Sequence, residues 1–208
     1  MKAELKSDIS SIWKIFHLAK QSYQYSYYLH KPDSEEETTE INRNHFLNFT
    51  RHTILRVLII ELCKLYNKDS NNQKFSVPKL LKKLKRYGHY SKLKFDQAKL
   101  VQWDLKLQSY ESTINNINVL RDKLYAHTDR QKPDLEQYGF EFEELKVLLE
   151  LTEDIIFQIN SDLFDSHTDF RTEFDMCEMD IVKKLVELRE NELHKFWKQF
   201  RNERNTNS

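Results

Sequence analysis

The sequence predicts an all-α protein, a bundle of about six helices in one domain across residues 1–208. Three observations carry that expectation. Only two glycines and three prolines occur, at Pro32, Pro78, Gly88, Pro133 and Gly139, a spacing that punctuates helices and is too sparse for the turns of a sheet protein. Between them the apolar residues recur every three or four positions instead of alternating. The length also suffices for one sizeable core, since folding at this size removes about 70% of the accessible surface of the unfolded chain.

A first helix is expected from about Ser7 to His30, with Ile9, Ile12, Trp13, Phe16, Tyr23 and Tyr27 at helical spacing. The tyrosines between Tyr23 and Tyr28 read better as packing than as a platform for nucleobases. The acidic stretch Asp33 to Glu40 reads as an exposed loop. A second helix, about Ile41 to Asn67, carries Phe46, Phe49, Leu55, Leu58, Ile59, Leu62 and Leu65, and its apolar second half marks it as the most buried. Ser76-Val77-Pro78 looks like a helix start, a capping hydroxyl followed by a first-turn proline, and Leu80, Leu81, Leu84 and Tyr87 lead to Gly88 as its breaker. A long helix then runs from about Phe95 to His127 on the stripe Leu100, Trp103, Leu107, Tyr110, Ile114, Ile117 and Leu120. Beyond the turn residues Lys132-Pro133-Asp134 and Gly139, a further helix uses Phe142, Leu145, Leu148, Leu149, Ile155, Ile156 and Ile159. The last spans about Thr172 to Arg201 with Ile181, Leu185, Leu188, Phe196 and Phe200, and the residues after it are expected to fray.

Composition removes several function classes. Lys plus Arg equals Asp plus Glu at 33 each, so any nucleic-acid binding must come from a local patch. The densest is Lys79, Lys82, Lys83, Lys85, Arg86, Lys92 and Lys94, with Lys79, Lys82, Lys83 and Arg86 as the candidate RNA contacts; Lys195, Lys198, Arg201 and Arg204 form a sparser one. Cys63 and Cys177 have no partner spacing and read as small core hydrophobes in a reducing compartment. The N-terminus lacks a signal-peptide apolar region, and Val57-Leu58-Ile59-Ile60 is far short of the roughly 20 residues that span a bilayer, so a cytoplasmic protein with no membrane partner is expected. No Walker loop, nucleophile elbow, Cys-x-x-Cys pair or His-Glu-x-x-His helix is present. His45 and His52 lie about 10 Å apart along one helix, too far to share a zinc ion unaided, so neither a metal site nor a cofactor is expected.

The long helix ends in Leu120-Arg121-Asp122-Lys123-Leu124-Tyr125-Ala126-His127-Thr128-Asp129, a density of polar groups that a merely structural helix does not need. Arg121, Asp122 and His127 resemble the signature of the HEPN superfamily, an arginine, a polar residue and a histidine four to six places after the arginine. The wider wording, Arg-Asp-Lys then Ala-His and Asp, is similar to the AbiU-type abortive-infection branch. So is the order of elements: Leu62 to Asp69, then Phe75-Ser76-Val77-Pro78-Lys79-Leu80-Leu81, then the long helix carrying the motif. The resemblance covers about Phe46 to Ile159, and the first and last helices rest on pattern alone.

An imidazole titrating near pH 6.5 is suited to take a proton from a ribose 2′-hydroxyl or return one to a leaving 5′-oxygen, and a guanidinium to grip the scissile phosphate. That makes His127 the general acid/base and Arg121 the phosphate clamp, with Asp122 orienting either. Lys123, Tyr125 and Asp129 are the supporting residues; Tyr125 lies one turn from Arg121 and can shield its guanidinium. Arg121 and His127 stand about 120° apart around an ideal helix, so the helix must loosen for them to converge. The resemblance implies a metal-independent endoribonuclease that leaves a cyclic phosphate, acts in phage defence or as a toxin, and builds its site across a homodimer with RNA as substrate and an antitoxin or defence-system protein as possible partner. The alternatives are a non-catalytic HEPN module binding RNA, a nucleotide or a protein, and a helical antitoxin or assembly subunit whose polar motif is only an interface; as plain structure the motif reads as a salt-bridged cap with His127 at the negative end of the helix dipole.

Overall fold

The structure, a computed structural model, describes residues 1–68, 73–122, 139–164 and 180–206, with side chains as far as Arg201. Those residues form eight α-helices and no strand: α1 (Lys2–His30), α2 (Glu35–Arg43), α3 (His45–Tyr66), α4 (Val77–Leu84), α5 (Gln97–Ser109), α6 (Glu111–Leu120), α7 (Phe142–Phe164) and α8 (Asp180–Thr206), with a 3-10 turn at Ser91–Leu93. The fold is all-α, as expected. The chain divides into two compact units, Met1–Gln24 with Thr53–Thr172, and Tyr25–His52 with Glu173–Ser208.

In the first unit the apolar stripes of six helices meet in one core. Leu5, Ile9, Ile12 and Phe16 of α1 join Leu58, Ile59, Leu62 and Leu65 of α3, Leu80, Leu81 and Leu84 of α4, and the inward rows of α5, α6 and α7. Each such side chain contributes roughly 1.5–3 kcal/mol by leaving water. Polar cross-links fix the register. Asp8, buried on α1, accepts hydrogen bonds from Lys83 Nζ and from the Tyr90 hydroxyl, both at 2.7 Å. Lys20 Nζ meets the Glu153 carboxylate at 2.8 Å, and Lys99 meets Asp162 at 2.7 Å.

The turn after α4 is shaped by Gly88. A Cβ there would stand 2.3 Å from the Lys83 carbonyl oxygen and 2.4 Å from that of Lys82. Only a glycine lets the chain fold back tightly enough for Tyr90 N–H to donate to the Lys83 carbonyl at 2.7 Å and for the Tyr90 ring to be fully buried.

The second unit corrects one expectation outright. Residues Asp33 to Glu40 are not a loop: α2 starts there, with Ser34 Oγ accepting from Glu37 N–H at 3.1 Å and the Glu37 carboxylate accepting from Asp33 N–H at 3.3 Å, a near relative of the capping box. Three glutamates in its first turn suit the positive end of the helix dipole. Glu37 and Glu40 are buried, Glu40 as the ion-pair partner of Arg189 on α8, and Lys183 pairs with Asp33 at 3.3 Å.

Other departures are local. The long helix predicted from Phe95 to His127 is kinked: α5 ends at Ser109, whose hydroxyl bonds the Lys106 carbonyl at 2.8 Å, Tyr110 N–H turns to the Leu107 carbonyl, and α6 begins anew. A side-chain hydroxyl that bonds a helical carbonyl slightly weakens the ladder and bends the helix. Ser76 does not cap α4 with its side chain; its hydroxyl donates instead to the Asn67 carbonyl at 2.7 Å, tying the end of α3 to the start of α4. Phe46, Phe49 and Tyr87, expected on inward stripes, are exposed, as are Ile181, Leu188, Phe196 and Phe200 of α8.

Candidate functional site

The buried row Thr113, Ile114, Ile117 and Leu120 sets the rotation of α6 in the core. That rotation decides where the motif emerges. Arg121 lies one turn beyond Ile117, its N–H directed at the Ile117 and Asn118 carbonyls, and the chain then widens into a π-type turn at Arg121 and Asp122. Arg121 Nε and Nη2 both donate to Asp122 Oδ1, each at 2.7 Å, a charge-assisted fork between chain neighbours. Nη1 and Asp122 Oδ2 make no hydrogen bond among the described residues.

Arg121 forms one edge of a cleft of about 220 Å³. One wall is the end of α3, Tyr66, with Asn67 and Lys68 after it; the other is α6, with Glu111, Ile114, Asn115 and Asn118. Lys68 and Glu111 pair at 2.8 Å, and the hydrogen bond and charge of Lys68 hold the Glu111 carboxyl below its ordinary range. Amides, an ammonium and a guanidinium make the lining rich in donors, the chemistry of a site for phosphate or sugar oxygens.

Beneath Arg121 lies Cys63, 2% exposed, its thiol donating to the Ile117 carbonyl at 3.5 Å. Burial pushes this thiol up to about 12, with the Arg121 charge pulling the other way and Asp122 adding to the rise. It is a neutral core thiol, as its sequence setting indicated, and not a nucleophile. Tyr66 is anchored from behind, its hydroxyl donating to the Leu148 carbonyl at 2.5 Å and sharing a hydrogen bond with Thr152 Oγ1 at 2.6 Å.

Of the residues singled out from sequence, Arg121 and Asp122 are brought together, while His127, Lys123, Tyr125 and Asp129 lie outside the described residues. Sequence reasoning missed Asn67, Lys68, Asn115 and Asn118. Their signal was there: Asn115 and Asn118 repeat at i, i+3 on the motif helix, and Asn67-Lys68 stand where the apolar stripe of α3 stops.

The basic segment divides in two. Lys83 is turned to Asp8, and Lys79 Nζ donates to the Gln73 carbonyl at 2.6 Å. Lys82 and Arg86 remain exposed on a second cleft, about 500 Å³, between their segment and α5, where Lys85 pairs with Asp104 of α5. The Arg86 guanidinium sits 5.8 Å from the ring centroid of Tyr87, which is 93% exposed. His45 and His52 are both exposed, and the described residues contain no cluster of three metal-ligating side chains. No helix among them is long and apolar enough to cross a membrane.

The family model of the AbiU2 HEPN proteins matches residues 1–185, which takes in every helix that builds the first unit and the start of α8. The chain belongs to the AbiU2 HEPN family. The match is wider than the segment that carried the sequence resemblance, for it includes α1 and α2 as well as the core from α3 to α7. Neither the curated proteins nor the solved structures provided a match. Membership of this family makes the chain an abortive-infection-related HEPN domain.

Proposed function

We propose that this AbiU2 HEPN protein is a metal-independent endoribonuclease of phage defence, or a toxin, working in the cytoplasm on RNA. The observation that carries the reading is Arg121, placed by the buried row of α6 at the lip of a donor-lined cleft with Asp122 steering its fork. In the reaction, the ribose 2′-oxygen attacks the adjacent phosphorus and loses its proton to a base. The bond to the 5′-oxygen breaks, that oxygen receives a proton, and the products are a cyclic phosphate and a 5′-hydroxyl. His127 serves the proton transfers, and Arg121 holds the phosphate and stabilises the charge that grows on it. Asp122 positions Arg121. A second copy supplies the matching Arg121 and His127 across a homodimer, and an antitoxin or defence protein restrains the activity.

Purified protein in EDTA is expected to cut single-stranded RNA. His127→Ala and Arg121→Ala are each expected to slow cutting by on the order of a hundredfold or more, with helical content and oligomeric state unchanged. Asp122→Ala has a smaller effect. One observation favours a second reading, a non-catalytic interaction module: a single Asp122 oxygen already engages two Arg121 donors, which is what a salt-bridged cap also looks like. Wild type and His127→Ala equally inert on diverse RNAs would establish that reading instead, and unfolding of His127→Ala would make the motif a cap.

A further inference from the structure

Tyr87, at 93%, is the most exposed of the described aromatic residues. It stands on a turn fixed from two sides. Gly88 N–H donates to the Lys85 carbonyl at 2.8 Å, and a Cβ on Gly88 would run into the Lys83 and Lys82 carbonyls, which confines the path of the chain around Arg86 and Tyr87. From α5, the Gln97 side chain accepts from Arg86 N–H at 3.0 Å and donates to the Phe95 carbonyl at 2.9 Å. A ring held out on so constrained a turn loses little entropy when a ligand settles on it.

The surroundings of the ring identify the ligand. The Arg86 guanidinium lies 5.8 Å from its centroid, and Lys82 is exposed on the same cleft. Neither cation has a carboxylate partner among the described residues, and Asp104, the one acid of the lining, is taken by Lys85. On α5 the wall is apolar at Val101, which is 55% exposed. Cations alone would suit the negative end of α4, but a tyrosine gains nothing from that position. A π face, an apolar wall and two free cations together are the chemistry that takes a nucleobase and its phosphates. We infer that Tyr87 is a stacking platform for an unpaired base of single-stranded RNA, with Lys82 and Arg86 on the neighbouring phosphates. The inference rests on the reading of this protein as one that acts on RNA, and it adds a second anchoring point apart from the Arg121 cleft. Val101 and Arg121 are 20 residues apart along α5 and α6, at most about 30 Å by helical rise, so one extended strand can reach both. A duplex keeps its base faces in its own stack, and an acidic peptide would satisfy the cations without supplying a flat face for the ring.

Fluorescence anisotropy of the full chain with labelled 2′-O-methyl oligouridylate tests the platform, since a strand without free 2′-hydroxyls binds but cannot be cut. Tyr87→Ala is expected to weaken binding roughly five- to a hundredfold. Its salt dependence should stay as it is, because no phosphate contact is removed. Tyr87→Trp should bind at least as tightly as the wild type, and Tyr87→Leu as weakly as the alanine variant, having bulk but no π face. Helical content and melting point should be unchanged, the side chain being exposed. On a long cleavable RNA, Tyr87→Ala should raise KM and leave kcat alone. RNA held through Tyr87 but never cut would keep the platform and sink the ribonuclease reading. RNA cut by the wild type, with binding and KM unmoved in Tyr87→Ala, would sink the platform alone. Tyr87→Leu as tight as the wild type would overturn stacking and give the surface to a protein partner. Binding of anionic vesicles without binding of oligouridylate would overturn it in favour of a lipid surface.

Discussion

Tyr66→Phe separates what holds the cleft in place from what acts in it. Tyr66 ends α3, next to Asn67 and Lys68 of the cleft wall, and its ring is fully buried. Its hydroxyl reaches away from Arg121 to α7, donating to the Leu148 carbonyl and bonding Thr152 Oγ1. Phenylalanine keeps the ring volume, so no cavity term enters, and the loss is of two buried polar contacts. Thr152 has a recourse: its hydroxyl can rotate to the carbonyl one turn back, which is that of Leu148. The cost therefore falls at about 1–2 kcal/mol instead of the sum of two orphaned groups, a melting-point drop of roughly 3–6 °C in a chain of this size. Thermal and urea unfolding measure it, with the urea midpoint lowered and the slope unchanged. Thr152→Val on the Tyr66→Phe background should then cost clearly less than on the wild type. RNA cutting well below the melting point should be unaltered. A variant as stable as the wild type, or additive costs, would refute the account of this contact, and lost cutting at full stability would show that the hydroxyl serves the site.

Two further outcomes follow from surface charge and from burial. Lys82→Gln with Arg86→Gln is expected to weaken binding of many RNA sequences alike and to flatten its salt dependence by roughly one to two counterions, whereas Lys83→Gln, which releases Asp8, should show mainly as lost stability; filter binding across a salt series and a melting curve measure the two. Stability should also fall in alkali. Burial comes first among the causes that raise Cys63 from 9.0 to about 12 and Tyr28 from 10.0 to about 12, and it also raises Tyr66 and Tyr90. Above pH 9 the unfolded chain loses these protons before the folded one does. It then binds fewer protons than the native state, and unfolding becomes easier as pH rises through that window. A urea midpoint unchanged between pH 8.5 and 10.5 would count against it.

The helices that were legible in the sequence are those whose partners cover one clean stripe. Leu58, Ile59, Leu62 and Leu65 on α3 and Leu145 to Ile159 on α7 are buried where the period placed them. Pattern failed where the deciding contact is not periodic. Apolarity without phase misleads: Phe46 and Phe49 sit on the same helix as that α3 stripe but project roughly 120° and 180° away from Leu58, and they are 72% and 69% exposed. The acidic run misled for the opposite reason. Its charges suggested solvent, but Ser34 and Glu37 are three apart, the interval at which a hydroxyl and a carboxylate close the first turn of a helix, and Arg189, far along the chain, neutralises Glu40.

The candidate site shows the same division. That Arg121 and Asp122 stand together at the end of the motif helix was readable from residue order alone; that Arg121 would border a cleft with Asn67 and Lys68 was not, since it depends on how α6 is rotated. The rotation comes from Ile114, Ile117 and Leu120 in the core, but its starting point is set by the kink at Tyr110, where the Ser109 hydroxyl takes the Lys106 carbonyl and no proline or glycine announces the break. Had the helix run straight from Gln97, one stripe would have served both halves and fixed where the motif emerges. Instead the kink lets α5 follow one direction, where Leu100 and Leu107 pack, while α6 takes its own and carries the arginine to the cleft. The Ser109 hydroxyl on the Lys106 carbonyl marks that turn, a local contact that the spacing of apolar residues does not report.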